Sequence, residues 1–554
     1  MPDRSHRTLL YHLLAIDLVV VALGLSYLFP ESHVAMYAAF VLVVIASAWK
    51  GGEETGIAAT AYSVAAMAIF FPAAVTPATL MGFAGAGAVI STFARVARRL
   101  RAREDGVAAP QAAMPDLTTV PFAVGLPALA VVMYTDLSDL LMENFRVPSM
   151  LQPLILLLAV AAWRARRTVH PFAAMLHPVT ILFALYAIAV FSTTIFAKDV
   201  SLADHRFEEV VKAAIIAVVA ASLAATWQSL RRALSVLVIA ASTLATISVL
   251  QITTGRFYGI LGGLLEPETG NIWGRLALPR AAGPPVSDPN AYARILLITI
   301  PVAVALAVAH RNRKLRIFFA IAALVTTAGT LVTYSRGAML ALGAMAVMLF
   351  FAMRGNVRQL ATAAVAGVLA LLLLPENITR RFVTVESLLP GREIAVEADN
   401  ALEKRKLLVR AGIAMFDANP IAGVGAGNYS KHFVNFANVT GSSFMDYHRP
   451  GSVEHAHGLY FEAAAETGLA GLLTLTAALA AAVLTSWRTA RALLQRGMET
   501  HAAIAAGLGV AVASYMIASV VLHESHLRYI GMFFGFVIAA ARLAQSSAPD
   551  EALV

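Results

Sequence analysis

Residues 469–487 read LAGLLTLTAALAAAVLTSW, a run of 19 residues without a charged side chain. A helix needs roughly 20 apolar residues to cross the hydrocarbon core of a bilayer. Runs of similar length recur along the 554-residue chain, which is 59% hydrophobic and 14% charged, whereas soluble domains are about 25% charged. Since only helices and closed barrels satisfy their backbone hydrogen bonds inside lipid, the sequence predicts an all-α fold, a polytopic helical bundle integral to a membrane.

Apolar length predicts about sixteen candidate spans, of which roughly 12–16 are expected to cross the membrane as helices. Several of the shorter ones could instead be re-entrant or interfacial. The candidate spans are 9–29, 33–49, 55–75, 79–97, 118–136, 150–166, 173–197, 209–227, 233–252, 293–310, 316–334, 337–353, 360–374, 457–487, 502–523 and 527–545.

Basic residues alternate along the connections between these spans. If the N-terminus is cytoplasmic, every second connection is basic, as the positive-inside rule requires. The net charge of +9 is therefore interpreted as a topology signal, and binding to nucleic acid is not expected. The basic connections contain Lys50, Arg98, Arg103, Arg164, Arg167, Arg231, Arg232, Arg311, Arg316, Arg354, Arg358, Arg488, Arg491 and Arg496.

Composition and charge divide the chain into six regions. Arg4 and Arg7 precede a first apolar run without a small-residue cleavage site, so we expect a retained span rather than a signal peptide. The chain has no cysteine, which excludes disulfides and thiolate metal sites. The regions are N-terminal transmembrane helices at 1–103, a cytoplasmic linker at 104–117, a transmembrane core at 118–374 with a periplasmic loop at 253–292, a large periplasmic catalytic loop at 375–456, C-terminal transmembrane helices at 457–545 and a tail at 546–554.

Several arginines fall on the side of the membrane opposite to the basic connections, against the topology rule. Arg336 stands out because it follows an apolar run in Thr333-Tyr-Ser-Arg-Gly337, near the end of a span. An ionisable residue at that depth is costly and is a functional hypothesis by default, with snorkelling to the headgroups as the alternative. For the group as a whole we favour a shared anionic ligand. The group consists of Arg256, Arg275, Arg280, Arg336, Arg405 and Arg528.

The segment before one span carries a helix start signal. Asp288 or Ser287 could cap the helix, with Pro289 at its first position. Asn290 and Arg294 would then lie one turn apart on the same face. A phosphate could meet them there, because helix N-termini favour anions.

Two further motifs lie between Pro420 and the last spans. Gly423-Val-Gly-Ala-Gly427 has the glycine content of a phosphate-binding loop, but it follows no β-strand and lacks Lys-Ser/Thr, so a turn is favoured over nucleotide binding. His455 and His457 could share a metal ion on extended backbone but would point apart on a helix, so neither a metal nor another cofactor is expected. The polar residues His523, Glu524 and His526 receive no role.

Taken in order, these pieces resemble the O-antigen ligase and polysaccharide polymerase superfamily of membrane glycosyltransferases. The resemblance covers roughly 230–545. Ligases usually carry Asn, Ser or Gln after the histidine, whereas this chain has Gly458. The matching segments are Gly283 to Asn290 before a span, Ser335-Arg336-Gly337, Arg405 fifteen residues before Pro420, Asn419-Pro-Ile-Ala-Gly-Val-Gly425, and His457 with Leu459-Tyr-Phe461 and Glu466-Thr-Gly468.

The resemblance implies a fold like that of the C-type membrane glycosyltransferases and a metal-independent reaction. The donor would be a glycan on undecaprenyl diphosphate, and the acceptor would be lipid A core, another glycan or a protein. The enzyme would lie in the bacterial inner (cytoplasmic) membrane, with its active site toward the periplasm. The loop at 375–456 is expected to contain short amphipathic helices and to cover the acceptor cleft.

The expected roles follow the residue types. Arg336 and Arg405, with Arg280 as a weaker third, are expected to bind the diphosphate, because planar guanidinium groups hold phosphate oxygens through paired hydrogen bonds. His457 is the expected catalytic base, giving inversion at the anomeric carbon. The residues expected to support the site are Asn290, Ser335 and Arg528.

Other functions remain open at this stage. A ligase and a polymerase that extends O-antigen or exopolysaccharide share a donor, and the sequence does not separate them. A polysaccharide transporter would explain the many spans, but it predicts charges along a path that reaches both sides, whereas here they gather at one face. A peptidoglycan polymerase of the shape, elongation and division type lacks its expected catalytic aspartate context.

Overall fold

The computed structural model describes residues 125–136, 151–164, 171–256, 288–353, 396–439, 454–522 and 527–546, with scattered positions elsewhere. Apart from isolated positions, five predicted spans lie outside the described residues, as do the linker at 104–117 and two parts of the large loop. The five spans are 9–29, 33–49, 55–75, 79–97 and 360–374, and the two loop parts are 375–395 and 440–453.

The chain divides into two compact units. In the first unit only isolated residues are described, among them Ser138 and Ser149, whose hydroxyl oxygens lie 3.1 Å apart. All the helices and strands named below belong to the second unit. The first unit comprises Met1–Val120, Leu137–Met150 and Tyr258–Leu264, and the second comprises Pro121–Asp136, Leu151–Phe257 and Leu265–Val554.

In its described residues the second unit is helical, apart from one hairpin of two short strands and an isolated bridge between Glu268 and Arg280. Its helices are α1 (Leu126–Tyr134), α2 (Leu151–Arg164), α3 (Pro171–Met175), α4 (Pro178–Ser192), α5 (Val200–Leu223), α6 (Trp227–Thr254), α7 (Pro289–Ala309), α8 (Arg313–Leu331), α9 (Arg336–Ala352), α10 (Val396–Ala418), α11 (Tyr429–Val439), α12 (Leu459–Gln495), α13 (Glu499–Ala518) and α14 (Arg528–Ser546). A 3₁₀ turn, Thr193–Ile195, extends α4. The strands β1 (Asn271–Ile272) and β2 (Arg275–Leu276) pair antiparallel, with Asn271 opposite Leu276.

Seven helices of the described part are long and apolar enough to cross a membrane, which confirms the predicted polytopic helical fold. Helix α5 differs from its prediction, since it begins at Val200 instead of near residue 209. Its first half carries charged side chains, so apolar length alone placed its start too late. The seven spans are Pro178–Ile195, Trp227–Thr254, Pro289–Ala309, Arg313–Leu331, Leu459–Gln495, Glu499–Ala518 and Arg528–Ser546, with shorter apolar helices at Leu151–Trp163 and Arg336–Ala352.

Helices α7, α13 and α14 form the interior of the second unit. They are 83%, 78% and 83% buried over their most apolar stretch, against 33% for α8. Small residues allow the close approach that helix packing in lipid requires. Gly531 and Gly535 of α14 face backbone carbonyls of Ala213 and Ala217 on α5, where an added Cβ would overlap them.

Short connections make consecutive helices antiparallel, so alternate helix ends gather on one side. The ends of α4, α6, α8 and α13 and the starts of α5, α7, α9, α12 and α14 share this side, which we call the site end. Two of these starts have side-chain caps that the sequence also suggests: Asp288 accepts the backbone N–H groups of Asn290 and Ala291 at the start of α7, confirming it over Ser287 as the cap. Ser335 caps α9 in the same way, through Ala338.

Candidate active site

Arg280 ties the loop before α7 to the start of α9. Its Nε donates to the Thr333 carbonyl at 3.1 Å, three residues before Arg336. Its Nη1 lies 3.2 Å from a Glu268 carboxylate oxygen, and its Nη2 donates to the Asn290 amide oxygen at 3.3 Å. The predicted residues Arg280 and Asn290 are therefore neighbours, and the Arg280 charge is partly balanced by Glu268.

Arg405 brings a third positive charge to the same place from α10. Burial lowers the pKa of the Arg405 guanidinium, and the nearby charges of Arg336 and then Arg280 lower it further. The structure thus gathers these three predicted arginines into one group, the arginine cluster. Within the described part of the chain, no ion pair neutralises Arg336 or Arg405. An anion held among the three would relieve their mutual repulsion.

His457 lies just before α12 in an unusual backbone conformation. Its φ is 50°, a left-handed value that is uncommon for residues other than glycine. Tyr334, two residues before Arg336, has a φ of 52°. Such conformations cost about 1–3 kcal/mol and concentrate at functional sites. Strained backbone therefore occurs both at the predicted base and beside a predicted diphosphate ligand.

A turn at residues 519–522, between α13 and α14, contacts the start of α12. The Leu459 N–H donates to the carbonyls of Ser519 and Leu522, at 2.9 and 3.0 Å. A Cβ on Gly458 would lie 2.7 Å from the Val520 carbonyl oxygen, which gives the unexpected glycine after His457 a steric reason. Sequence reasoning missed this turn, since it carries no charge and no motif.

The glycine loop at 419–428 is a packed turn, as favoured from the sequence. Its Val424 and Gly425 N–H groups donate to the carbonyls of Ala465 and Glu466, at 2.9 and 3.0 Å. The Glu466 carboxylate in turn accepts the N–H groups of Gly427 and Tyr429, at 2.8 and 3.1 Å. These donors are occupied by the protein itself, so they form no phosphate cradle.

The same loop docks where α12 is interrupted. Gly468 has φ 62° and ψ −160° inside the helix, which breaks its hydrogen-bond ladder. Pro420 supplies a carbonyl to the Leu469 N–H at 2.8 Å. A Cβ on Gly423, whose φ is 72°, would overlap the backbone of Glu466. The loop therefore satisfies a backbone N–H group at the break and packs directly against it.

A buried ion network, unforeseen from the sequence, lies beside this break. Glu462 is fully buried, and its Oε1 lies 3.0 Å from the His455 Nδ1 and 3.6 Å from an Arg206 Nη atom. Burial alone lowers the pKa of His455, but the hydrogen bond and charge of Glu462, with the charge of Glu466, outweigh it and raise that pKa above its ordinary value of 6.5. The only sequence signal was the four-residue spacing of Glu462 and Glu466 on one helical face.

The remaining predicted residues have contacts within the protein or lie outside the described part. Arg528 pairs with the buried Asp136, with 2.7 Å between Nη2 and Oδ1. Ser335 is buried at the cap of α9. Arg294 is buried in α7 and contacts Ser519, so it does not share a phosphate site with Asn290. His523, Glu524 and His526 lie outside the described residues.

No group of three His, Asp or Glu side chains in the described residues has the arrangement of a metal site. What the site end offers chemically is a cluster of three guanidinium groups and a histidine on strained backbone. This set suits the binding of a diphosphate or a similar anion.

Residues 321–476 match the family model described as O-antigen ligase. Over this segment the chain is similar to the O-antigen ligase family. The matched segment runs from the middle of α8 to the middle of α12 and contains Arg336, Arg405 and His457, which confirms the resemblance. Arg280 and the turn at 519–522 lie outside the matched segment, although they pack against it. No curated protein matches the chain.

Proposed function

We propose that this protein is a membrane glycosyltransferase of the ligase type. It moves a glycan from undecaprenyl diphosphate to an acceptor hydroxyl, on lipid A core or another surface acceptor. Its family and helical membrane fold support a function in O-antigen or polysaccharide synthesis. The observation that carries the finer proposal is the convergence of Arg280, Arg336 and Arg405, where the charges of Arg336 and Arg280 repel that of Arg405.

The arginine cluster binds the diphosphate and stabilises the charge that develops on it. In the transfer step the bond between the anomeric carbon and the diphosphate oxygen breaks, and its electron pair stays on that oxygen. The leaving undecaprenyl diphosphate therefore gains one negative charge. Guanidinium groups that are already in place stabilise such charge by several kcal/mol, the contribution that a divalent cation makes in metal-dependent transfers. The proposed reaction is accordingly metal-independent.

His457 serves as the base. It accepts the proton of the acceptor hydroxyl as the acceptor oxygen attacks the anomeric carbon. Attack from the face opposite to the diphosphate inverts the configuration at that carbon. The strained backbone at His457 and the contact of Gly458 with the 519–522 turn support a fixed position for the imidazole.

The proposed active site faces the periplasm. Along the chain, the basic connections alternate with the connections that lie at the site end. The positive-inside rule therefore puts the site end outside the cytoplasm. A lipid-linked glycan that has crossed the inner membrane presents its diphosphate at that surface. Helices α10 and α11 of the large loop are proposed to border the acceptor cleft.

The test is a profile of surface and lipid-linked polysaccharide in a deletion strain. The strain is complemented with wild type, Arg405→Ala, His457→Ala, or Arg256→Ala as an exposed-arginine control. If the protein is a ligase, the strains with Arg405→Ala or His457→Ala accumulate full-length polymer on undecaprenyl diphosphate and carry none on the final acceptor. Accumulation of single repeat units would identify a polymerase instead. Full transfer by both variants at normal expression would refute the proposal.

A further inference from the structure

We propose that Arg294 is a positioning residue of this site, although it contacts no substrate. It holds the 519–522 turn, and that turn sets the start of α9, with Arg336, against the start of α12, with His457. The inference rests on the proposed transfer function for its kinetic consequence. The claim that Arg294 holds the turn in place rests on the observed contacts alone.

Arg294 is a buried cation in the innermost helix of the unit. It lies six residues into α7 and is 2% exposed. A buried charge is costly unless it is compensated. Its Nη1 donates to the Ser519 hydroxyl at 3.3 Å, and its guanidinium lies 4.9 Å from the centre of the Tyr515 ring. Both contacts are on α13 or directly after it, so Arg294 fastens the end of α13 to α7.

Ser519, the hydrogen-bond partner of Arg294, is also bonded to the start of α12. Ser519 is fully buried, and its carbonyl accepts the Leu459 N–H, which also donates to Leu522. Leu459 is the first residue of α12, two residues after His457. The Tyr460 hydroxyl adds a bond to the Met516 carbonyl at 3.0 Å. A shift of the turn therefore moves the segment that carries the base.

Two glycines allow the starts of α9 and α12 to pack closely against the turn. Gly458 is packed against the Val520 carbonyl, and Gly337 against the Val521 side chain, so that a Cβ at either position would overlap. Gly337 directly follows Arg336. The central residues of the turn thus lie between the segment that carries the proposed base, His457, and the segment that carries Arg336. The turn acts as a spacer between these two segments.

A spacer affects the rate through geometry. A misplacement of about 1 Å between reacting groups can reduce a rate roughly 100-fold. Replacing Arg294 should therefore lower kcat by about 10–100-fold while the donor KM changes little, because the arginine cluster keeps its own contacts. A purely structural role would lower the yield and thermal stability but leave kcat per folded molecule unchanged.

The experiment compares purified wild type, Arg294→Met, Arg294→Lys and Ser519→Ala in lipid nanodiscs. Arg542→Met is the matched control, since Arg542 also donates to a buried carbonyl, that of Ala221, but at the opposite end of the bundle. The substrate is undecaprenyl-diphosphate-linked glycan, and kcat and KM are measured per folded molecule. Hydrogen exchange at the Leu459 amide reports the turn without reference to any reaction.

We expect Arg294→Met to lower kcat and to speed exchange at Leu459, Arg294→Lys to recover part of both, and Arg542→Met to change neither. Ser519→Ala gives the same direction with less risk to folding. Wild-type kcat and wild-type exchange in both Arg294→Met and Ser519→Ala would overturn the inference. If the wild type itself transfers no glycan, the proposed function fails, and unchanged Leu459 exchange in Arg294→Met would then refute the positioning contact as well.

Discussion

The arginine cluster and the Glu462–Glu466 face of α12 lie at the same end of the bundle but differ in how their charges are compensated. In the cluster, Arg336 and Arg405 are crowded by like charges, and in the described residues only Arg280 has a carboxylate partner, Glu268. On α12, Glu462 meets Arg206 and His455, and Glu466 accepts two backbone N–H groups. Buried charge with partners builds a scaffold, whereas crowded charge without them predicts a ligand.

The largest effect should come from the crowded side. Arg405→Ala is expected to lower kcat by roughly 10²–10³-fold, the usual cost of losing one group that stabilises charge in the transition state. It should not lower the melting temperature, because removing one of three like charges relieves repulsion. Transfer kinetics and thermal unfolding in detergent measure the two effects. Normal kcat with a lower melting temperature in this variant would show that the cluster has a structural role, like the Glu462–Glu466 face.

The balanced side should respond in the opposite way. Glu462→Gln leaves Arg206 and His455 around a neutral amide, and breaking such a buried pair costs on the order of 3 kcal/mol of unfolding free energy. Glu208→Gln is the control, since Glu208 pairs with Lys212 at 2.7 Å but is 53% exposed, and such a pair contributes about 0–1 kcal/mol. Chemical unfolding of both variants is the measurement. Equal losses would show that burial does not set the value of the Glu462 pair.

A smaller effect should follow from loosening the anchored loop. Gly423→Ala combines a left-handed φ of 72° with overlap against the Glu466 backbone, and strain of this kind costs about 1–3 kcal/mol. Gly497→Ala is a matched control, because Gly497 has a φ of 74° but no atom within 4 Å of an added Cβ. Hydrogen exchange of the 419–428 loop should rise only in Gly423→Ala. The same change in both variants would argue against tight docking.

The smallest effect is the pH dependence of the His455 contact. The pKa of folded His455 is raised above 6.5, with burial opposing the contributions of Glu462 and Glu466. The stabilisation is therefore fully present below about pH 6.5, the unfolded pKa, and is lost as the pH rises through the folded pKa. The stability difference between wild type and His455→Gln should shrink over that range. A difference that grows with pH would contradict the ion pair.

Sequence reasoning recovered what depends on local pattern. Apolar runs predicted the span that became α12, and three of the six arginines that break the topology rule are the members of the cluster. Asp288 was correctly offered as one of two caps. Each of these conclusions uses neighbouring residues only, because span length, capping and charge bias are all local properties.

The rest depends on contacts between distant segments. Arg206 and Glu462 are 256 positions apart, and no spacing rule joins them. The break at Gly468 is invisible within an apolar run, because its freed backbone groups are satisfied by Pro420 and its neighbours. Arg294 was grouped with Asn290 by helical spacing, yet tertiary packing turns it toward Ser519.

The most direct test of the central claim is the affinity of purified protein for undecaprenyl diphosphate. Wild type, Arg336→Ala/Arg405→Ala and Glu462→Gln are compared at low and high salt. Each lost charge-assisted contact is worth about 1.5–3 kcal/mol, so the double variant should bind at least roughly 100-fold more weakly. Folded Glu462→Gln should bind almost as wild type does. Equal affinity of the wild type and the double variant would contradict the diphosphate site.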